Sequence, residues 1–149
     1  MIDISKIKEL RNKTGISLGK CKEALEEAGG DLEKAGKVLQ RKGIKTAAKK
    51  RNRDTGAGIV QSYIHNNKRV GALLDLRCET DFVAKNKEFQ KMGHEICMHV
   101  AAMQPEDKEE LLESHWIKDD SKKIKDLIAE YIAKLGENIV IKRFISYKA

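Results

Sequence analysis

A chain of 149 residues, of which 40% are hydrophobic, has room for one packed domain, or for a very small domain and a modest second one. No apolar run approaches the length of a membrane span, and the first residues lack the basic-then-apolar order of a signal peptide. The three cysteines share no CxxC spacing, which favours reduced thiols in a cytoplasmic protein.

The formal net charge of +7 comes from one short stretch of the chain. The basic segment, Arg41–Arg53, contains seven basic residues and no acidic one. Outside it, basic and acidic residues are equal in number, 23 of each, because the whole chain has 30 basic and 23 acidic residues. The charge therefore does not indicate a globally basic protein.

The first 44 residues predict a head domain of three short helices. Ser17 and Asp31 are suited to cap the second and third helices, and Gly15, Gly30 and Gly43 follow the three predicted ends. The predicted inward side chains are Ile4, Ile7, Leu10, Leu18, Cys21, Leu25, Ala28, Leu32, Ala35, Val38 and Leu39. Each helix is too short to persist alone, so we expect the three to pack on one another.

Residues 45–57 are predicted to be a basic connector that begins as helix and ends as a turn. The apolar pattern then changes to a period of two over residues 59–64 and again over residues 70–78. The polar loop 65–69 separates these two runs, and this arrangement predicts a β-hairpin.

The remaining chain predicts helices that cover a sheet. Thr80 is predicted to cap a long helix that ends near Pro105, with an apolar stripe of Phe89, Met92, Ile96, Val100 and Met103. A short acidic helical stretch at 106–116, an amphipathic helix at 124–135 and a strand at 139–147 follow. We therefore predict an α+β core domain, residues 58–149, with a three-stranded antiparallel sheet and helices on one face.

No catalytic motif is present. A phosphate-binding glycine loop, a GxSxG elbow and an HExxH sequence are all missing, and no group of acid, base and nucleophile stands out. His94 and Cys97 lie one helical turn apart, and Cys78 and His99 are the other candidate zinc ligands nearby. We favour packed side chains over a metal site, and we expect a binding protein without a metal or cofactor rather than an enzyme.

Several motifs resemble the bacterial elongation factor Ts family, and they occur in the same order. They are Leu10–Gly15, Cys21–Asp31, Lys45–Lys50, Cys78–Asn86 and Gly136–Ile139. The Thr-Asp-Phe-Val-Ala sequence of residues 80–84 is the most specific of them. The resemblance covers both ends and the middle of the chain. It implies a helical head of the ubiquitin-associated type joined to an α+β core.

The resemblance also implies a partner and a site. The partner is elongation factor Tu, a GTPase from which the family releases GDP. Asp81 and Phe82 would enter between helices of the GTPase domain and disturb its magnesium and phosphate site. Thr80 would position this turn, and Val83 and Ala84 would support it from behind. Arg11 and Leu18 would contact the GTPase from the head, together with Gly19, where relatives commonly have a larger apolar residue.

Spacing alone gives different interpretations of Asp81 and Phe82. A carboxylate in the first helical turn is favoured by the helix dipole, so Asp81 has a purely structural explanation. Phe82 lies seven residues before Phe89, which places it on the same apolar stripe and predicts a core position. Asn86 is a good helix cap, however, and a break there would free the orientation of Phe82. The resemblance favours an exposed Phe82.

The region between Pro105 and Lys118 is much shorter than in most members of the family. The segment His94–Ala102 resembles a helix that lies in the later half of longer members. We therefore expect a homodimer, in which a second chain supplies the missing half.

Two other functions remain open at this point. The basic segment could bind RNA or the ribosome by neutralising phosphates, although no aromatic residue lies between its lysines and arginines to stack on bases. We favour a solvated connector there. A helical scaffold that binds a partner without accelerating GDP release is the third alternative.

Overall fold

The computed structural model describes all residues, 1–149, and contains seven helices and five strands. The helices are α1 (Ile4–Thr14), α2 (Leu18–Glu27), α3 (Leu32–Lys50), α4 (Asp81–Ala84), α5 (Lys87–Met103), α6 (Lys108–Glu113) and α7 (Ile124–Leu135). The strands are β1 (Ala57–Ile64), β2 (Val70–Cys78), β3 (His115–Trp116), β4 (Asp119–Lys123) and β5 (Val140–Lys148). None of the helices combines the length and the apolar character that crossing a bilayer requires.

Helices α1, α2 and α3 form the predicted head. Asp3, Ser17 and Asp31 each accept a backbone N–H in the first turn of their helix, so all three helices are capped. The head encloses a small apolar core of Leu10, Cys21, Ala24, Leu25, Ala35, Val38 and Leu39. Two predicted inward side chains, Ile4 and Leu18, are exposed instead, because three short helices leave one side of each in contact with solvent.

Helix α3 does not end at Gly43, as the glycine predicted. It continues to Lys50 and includes the first half of the connector. Gly43 is buried against α7, where a Cβ atom on it would lie 3.5 Å from the Cβ of Ala133. The glycine therefore permits close contact between the two helices rather than ending one of them. Through this contact the head is attached to the rest of the chain.

The chain after these three helices has the predicted α+β architecture. Strands β1, β2 and β5 form an antiparallel sheet in the order β1-β2-β5, with Ser62 opposite Leu73 and Leu73 opposite Ile145. Helix α5 packs on one face, where Leu74 and Leu76 are fully buried with side chains of α5 and α7. The three-stranded sheet with helices on one face confirms the predicted fold class.

The long helix predicted after Thr80 is two helices. Helix α4 ends at Ala84, and Asn86 caps α5 by accepting the backbone N–H of Glu88 at 2.8 Å. Met103, predicted on the buried stripe, is about half exposed at the end of α5.

The short β3–β4 hairpin was not predicted. Its strands contain mainly charged residues and show no apolar alternation. The buried imidazole of His99 on α5 holds it: Nδ1 accepts the N–H of Ile117 at 3.2 Å, and Nε2 lies 2.8 Å from Oγ of Ser114.

Candidate functional site

The Thr-Asp-Phe-Val-Ala motif forms a single helical turn between β2 and α5. Thr80 caps this turn, since its Oγ1 accepts the N–H of Val83 at 3.4 Å. At the other end, the N–H of Lys85 is bonded to the carbonyl of Asp81 at 3.0 Å. Asp81 is the first residue of the helix and is exposed, where a carboxylate interacts favourably with the helix dipole.

Phe82 is the most prominent side chain of the turn. It is 91% exposed, whereas the next two residues, Val83 and Ala84, are buried in the core of the domain. The prediction from seven-residue spacing, a core position beside Phe89, was wrong. The chain breaks between α4 and α5, so a helical period cannot be carried across Lys85 and Asn86. An aromatic ring of this exposure on a turn anchored by its neighbours is available to another molecule.

A glutamate far along the chain holds the start of this turn, and sequence reasoning assigned it no role. The carboxylate of Glu137 accepts the N–H of Glu79 at 3.1 Å, the N–H of Thr80 at 2.9 Å and the hydroxyl of Thr80 at 2.6 Å. In return, Glu79 accepts the N–H of Asn138 at 3.0 Å. The only signal for Glu137 was its place in the Gly136–Ile139 motif, which gave no indication of what it touches.

The two residues expected to contact the GTPase from the head are both at its surface. Arg11 is exposed on α1, and Leu18 is exposed at the start of α2. Neither is hydrogen-bonded to the turn 80–84. The residues expected to contact the GTPase therefore form two separate groups, one on the head and one on the turn. Nothing lies within 4 Å of a Cβ placed on Gly19, so the fold does not require a glycine there.

The basic segment is partly neutralised within the protein. Arg41 and Lys42 pair with Glu27 at 2.7 and 3.1 Å, and Arg53 lies 3.6 Å from Glu79. The Lys50 ammonium donates to the carbonyl of Gly136 at 2.8 Å. Lys45, Lys49 and Arg51 form no such pair. Two of the seven basic residues, Lys50 and Arg53, therefore link the connector to the core, and Arg41 and Lys42 pair within the head.

The candidate metal ligands do not form a cluster, and no group of three or more His, Cys, Asp or Glu side chains is arranged to hold a metal ion. The thiol of Cys97 donates to backbone carbonyls of Gln61 and Ala72, and that of Cys78 to the carbonyl of Thr80. Burial raises the pKa of both thiols to about 11. They are protonated core side chains at neutral pH, and thiolate is the form that binds metal.

The outer face of the three-stranded sheet, opposite α5, is uncovered and largely apolar. Its exposed apolar side chains are Val60, Ile64, Leu73, Ile145 and Tyr147. Asp75, at the middle of this face, is only 7% exposed and is paired with Arg77 and Arg143. The guanidinium of Arg77 lowers the pKa of the Asp75 carboxyl, so the pair is ionised at neutral pH.

Comparisons with known proteins point to one family. The sequence model described as "Elongation factor TS" matches residues 79–149, which contain the Phe82 turn and Glu137. The chain is 41% identical to elongation factor Ts of Thermosipho melanesiensis, over 99% of this chain and 98% of the relative. It is 40% identical to elongation factor Ts of Thermotoga petrophila, over 99% of this chain and 96% of that protein.

The alignment with the Thermosipho protein spans 192 positions, whereas this chain has 149 residues. More than forty positions of that alignment therefore have no residue here. Since the identity extends over nearly the full length of both proteins, the chain belongs to the elongation factor Ts family.

Proposed function

We propose that this protein is a nucleotide-exchange factor that releases GDP from elongation factor Tu during translation, acting by binding and not by covalent catalysis. The observation that carries the proposal is Phe82, 91% exposed at the tip of a turn whose next two residues are buried. The ring projects from an anchored turn and has almost all of its surface left to bury in a partner.

An apolar wedge suits nucleotide exchange because it fills space that opens only when helices of the GTPase move apart. The factor must then bind the nucleotide-free GTPase better than the GDP-bound form, and by linkage GDP weakens the factor's binding to the same extent. In this proposal Asp81 and Phe82 act on the magnesium and phosphate site, Thr80 orients the turn, and Val83 and Ala84 support it.

The head supplies a second contact, through Arg11 and Leu18. A second contact is needed because one phenylalanine contributes only about 1.5–3 kcal/mol when fully buried. The proposed division is a head of residues 1–44, a connector of residues 45–57 and a core of residues 58–149. The continuous helix α3, packed on α7 at Gly43, supports a fixed spacing between the head contact and Phe82.

We also propose that the protein is a homodimer in which the outer sheet faces of two chains pack together. Five apolar side chains are exposed on this face, and the charged groups at its centre, Asp75, Arg77 and Arg143, are paired with one another. Two copies of one sheet related by a two-fold axis give a self-complementary interface of the β-sandwich type. A mass near 16.8 kDa by light scattering at micromolar concentration would contradict the dimer.

The direct experiment is the release of fluorescent GDP from a bacterial elongation factor Tu, chased with excess unlabelled GDP, at increasing concentrations of this protein. We expect faster release with the intact chain and a much weaker effect with Phe82→Ala. Binding to the GTPase without faster release would support the scaffold alternative and contradict the proposal. Binding to RNA that falls steeply with salt, without any effect on GDP, would support the adaptor alternative.

A further inference from the structure

Helix α4 is a single turn of four residues, which is too short to be stable by itself. Burial of Val83 and Ala84 fixes its far side, but these two residues do not determine how the chain enters the turn from β2. The direction of entry sets where Phe82 points. The groups that bind residues 79 and 80 therefore help to determine the direction of the Phe82 ring, as the turn itself does.

Glu137 is the side chain that holds this entry. Its carboxylate accepts three hydrogen bonds, from the N–H groups of Glu79 and Thr80 and from the Thr80 hydroxyl, at 2.6–3.1 Å. Hydrogen bonds to an ionised acceptor are roughly twice as strong as neutral ones. The reciprocal bond from the N–H of Asn138 to Glu79, at 3.0 Å, closes the arrangement from the opposite side.

The same segment also holds the end of the connector. The side-chain amide of Asn138 donates to the carbonyls of Arg51 and Arg53 at 3.3 and 3.1 Å. Arg53 in turn lies 3.6 Å from Glu79. Residues 137 and 138 thus connect the turn that bears Phe82 to the chain that follows the head helix α3.

We propose that Glu137 is a positioning residue for nucleotide exchange: it fixes the entry into α4 and so directs Phe82 toward the GTPase. This inference rests on the proposed function, since it assigns a second residue to the same site. Glu137 does not itself touch the nucleotide or the GTPase in this proposal.

The test compares three variants with the intact protein. Glu137→Ala removes all three hydrogen bonds, and Glu137→Gln keeps an oxygen that accepts the two N–H groups. Glu113→Ala is the matched control, because this glutamate also binds two groups, Lys123 and Lys125, but lies on α6 away from the turn. Two quantities are measured: amide hydrogen exchange of each variant alone, and the GDP release that it stimulates from elongation factor Tu.

We expect Glu137→Ala to lower protection of the Ala84 and Lys85 amides, and to reduce stimulated GDP release, by about tenfold each. Amides of β2 should keep their protection, since a loss there would indicate general destabilisation. Glu137→Gln should recover most of both quantities, and Glu113→Ala should change neither.

Unchanged protection of the Ala84 and Lys85 amides in Glu137→Ala would overturn the inference, whatever the GTPase does. The inference would also be overturned, with the proposed function intact, if Glu137→Ala stimulated GDP release as the intact protein does while Phe82→Ala stimulated it weakly. If Phe82→Ala stimulated GDP release as strongly as the intact protein does, the proposed function itself would be contradicted.

Discussion

Two phenylalanines seven residues apart allow folding and function to be separated. Phe82 is 91% exposed on α4, and Phe89 is completely buried on α5. The substitutions Phe82→Ala and Phe89→Ala delete the same atoms. Truncating a buried phenylalanine costs about 3–5 kcal/mol of folding stability, whereas an exposed substitution usually stays within about 0.5 kcal/mol. We therefore expect Phe89→Ala to be severely destabilised and Phe82→Ala to unfold like the intact protein.

The effect on nucleotide exchange should be the reverse. Because nearly the whole Phe82 ring is exposed in the free protein, its burial in a partner contributes at most about 1.5–3 kcal/mol. At about 1.4 kcal/mol per factor of ten, the loss of the ring corresponds to a reduction of about 10-fold to 150-fold. The reduction should appear in the slope of GDP release rate against factor concentration, well below saturation.

Both quantities can be measured on the same samples. Urea unfolding followed by circular dichroism gives the free energy of unfolding, and stopped-flow release of fluorescent GDP gives the exchange slope. A loss of more than about 1 kcal/mol of stability in Phe82→Ala would contradict the exposed position of this ring. An exchange slope within a factor of two of that of the intact protein would contradict the proposed role of Phe82.

Leu73→Glu, on the outer sheet face, should give a monomer by light scattering, whereas Ile4→Glu, on an exposed head position, should leave the dimer intact. Gly58→Ala should destabilise the protein by more than about 2 kcal/mol in urea unfolding, because a Cβ there would collide with the backbone oxygen of Leu76. Burial lowers the pKa of His99 below its ordinary 6.5, so the unfolded chain takes up the proton more readily. The unfolding free energy should therefore be highest above that pH and fall as the pH drops through it. His99→Gln should abolish this pH dependence, and an unchanged slope would contradict it.

Local signals in the sequence were sufficient for most of the architecture. Capping residues and glycines located the head helices, and the change to a period of two located β1 and β2. These local signals failed where contacts between distant residues determine the structure. Gly43 predicted a helix end. In the structure it lies at a contact between two helices, and its partner, Ala133, is 90 residues later in the chain.

The candidate site shows the same limit. The exposed position of Phe82 contradicts the spacing rule, because that rule assumes one continuous helix where the structure has two. The motif resemblance favoured an exposed Phe82 because it assigns this residue a contact with the GTPase. Periodicity carries no information about contacts with another protein. The contact between Glu137 and Thr80 joins residues 57 positions apart, and no local pattern specifies such a pair. Long-range hydrogen bonds of this kind become visible only when the fold is known.

The most direct test of the proposed nucleotide exchange is a comparison of two affinities. Titration of this protein into nucleotide-free elongation factor Tu, and into the same GTPase saturated with GDP and magnesium, gives the two dissociation constants. An exchange factor must bind the nucleotide-free form more tightly, and the ratio of the two constants must equal the factor by which it weakens GDP binding. We expect a preference of at least about a hundredfold for the nucleotide-free form, corresponding to about 2.7 kcal/mol. Equal affinities for the two forms would contradict the proposed function.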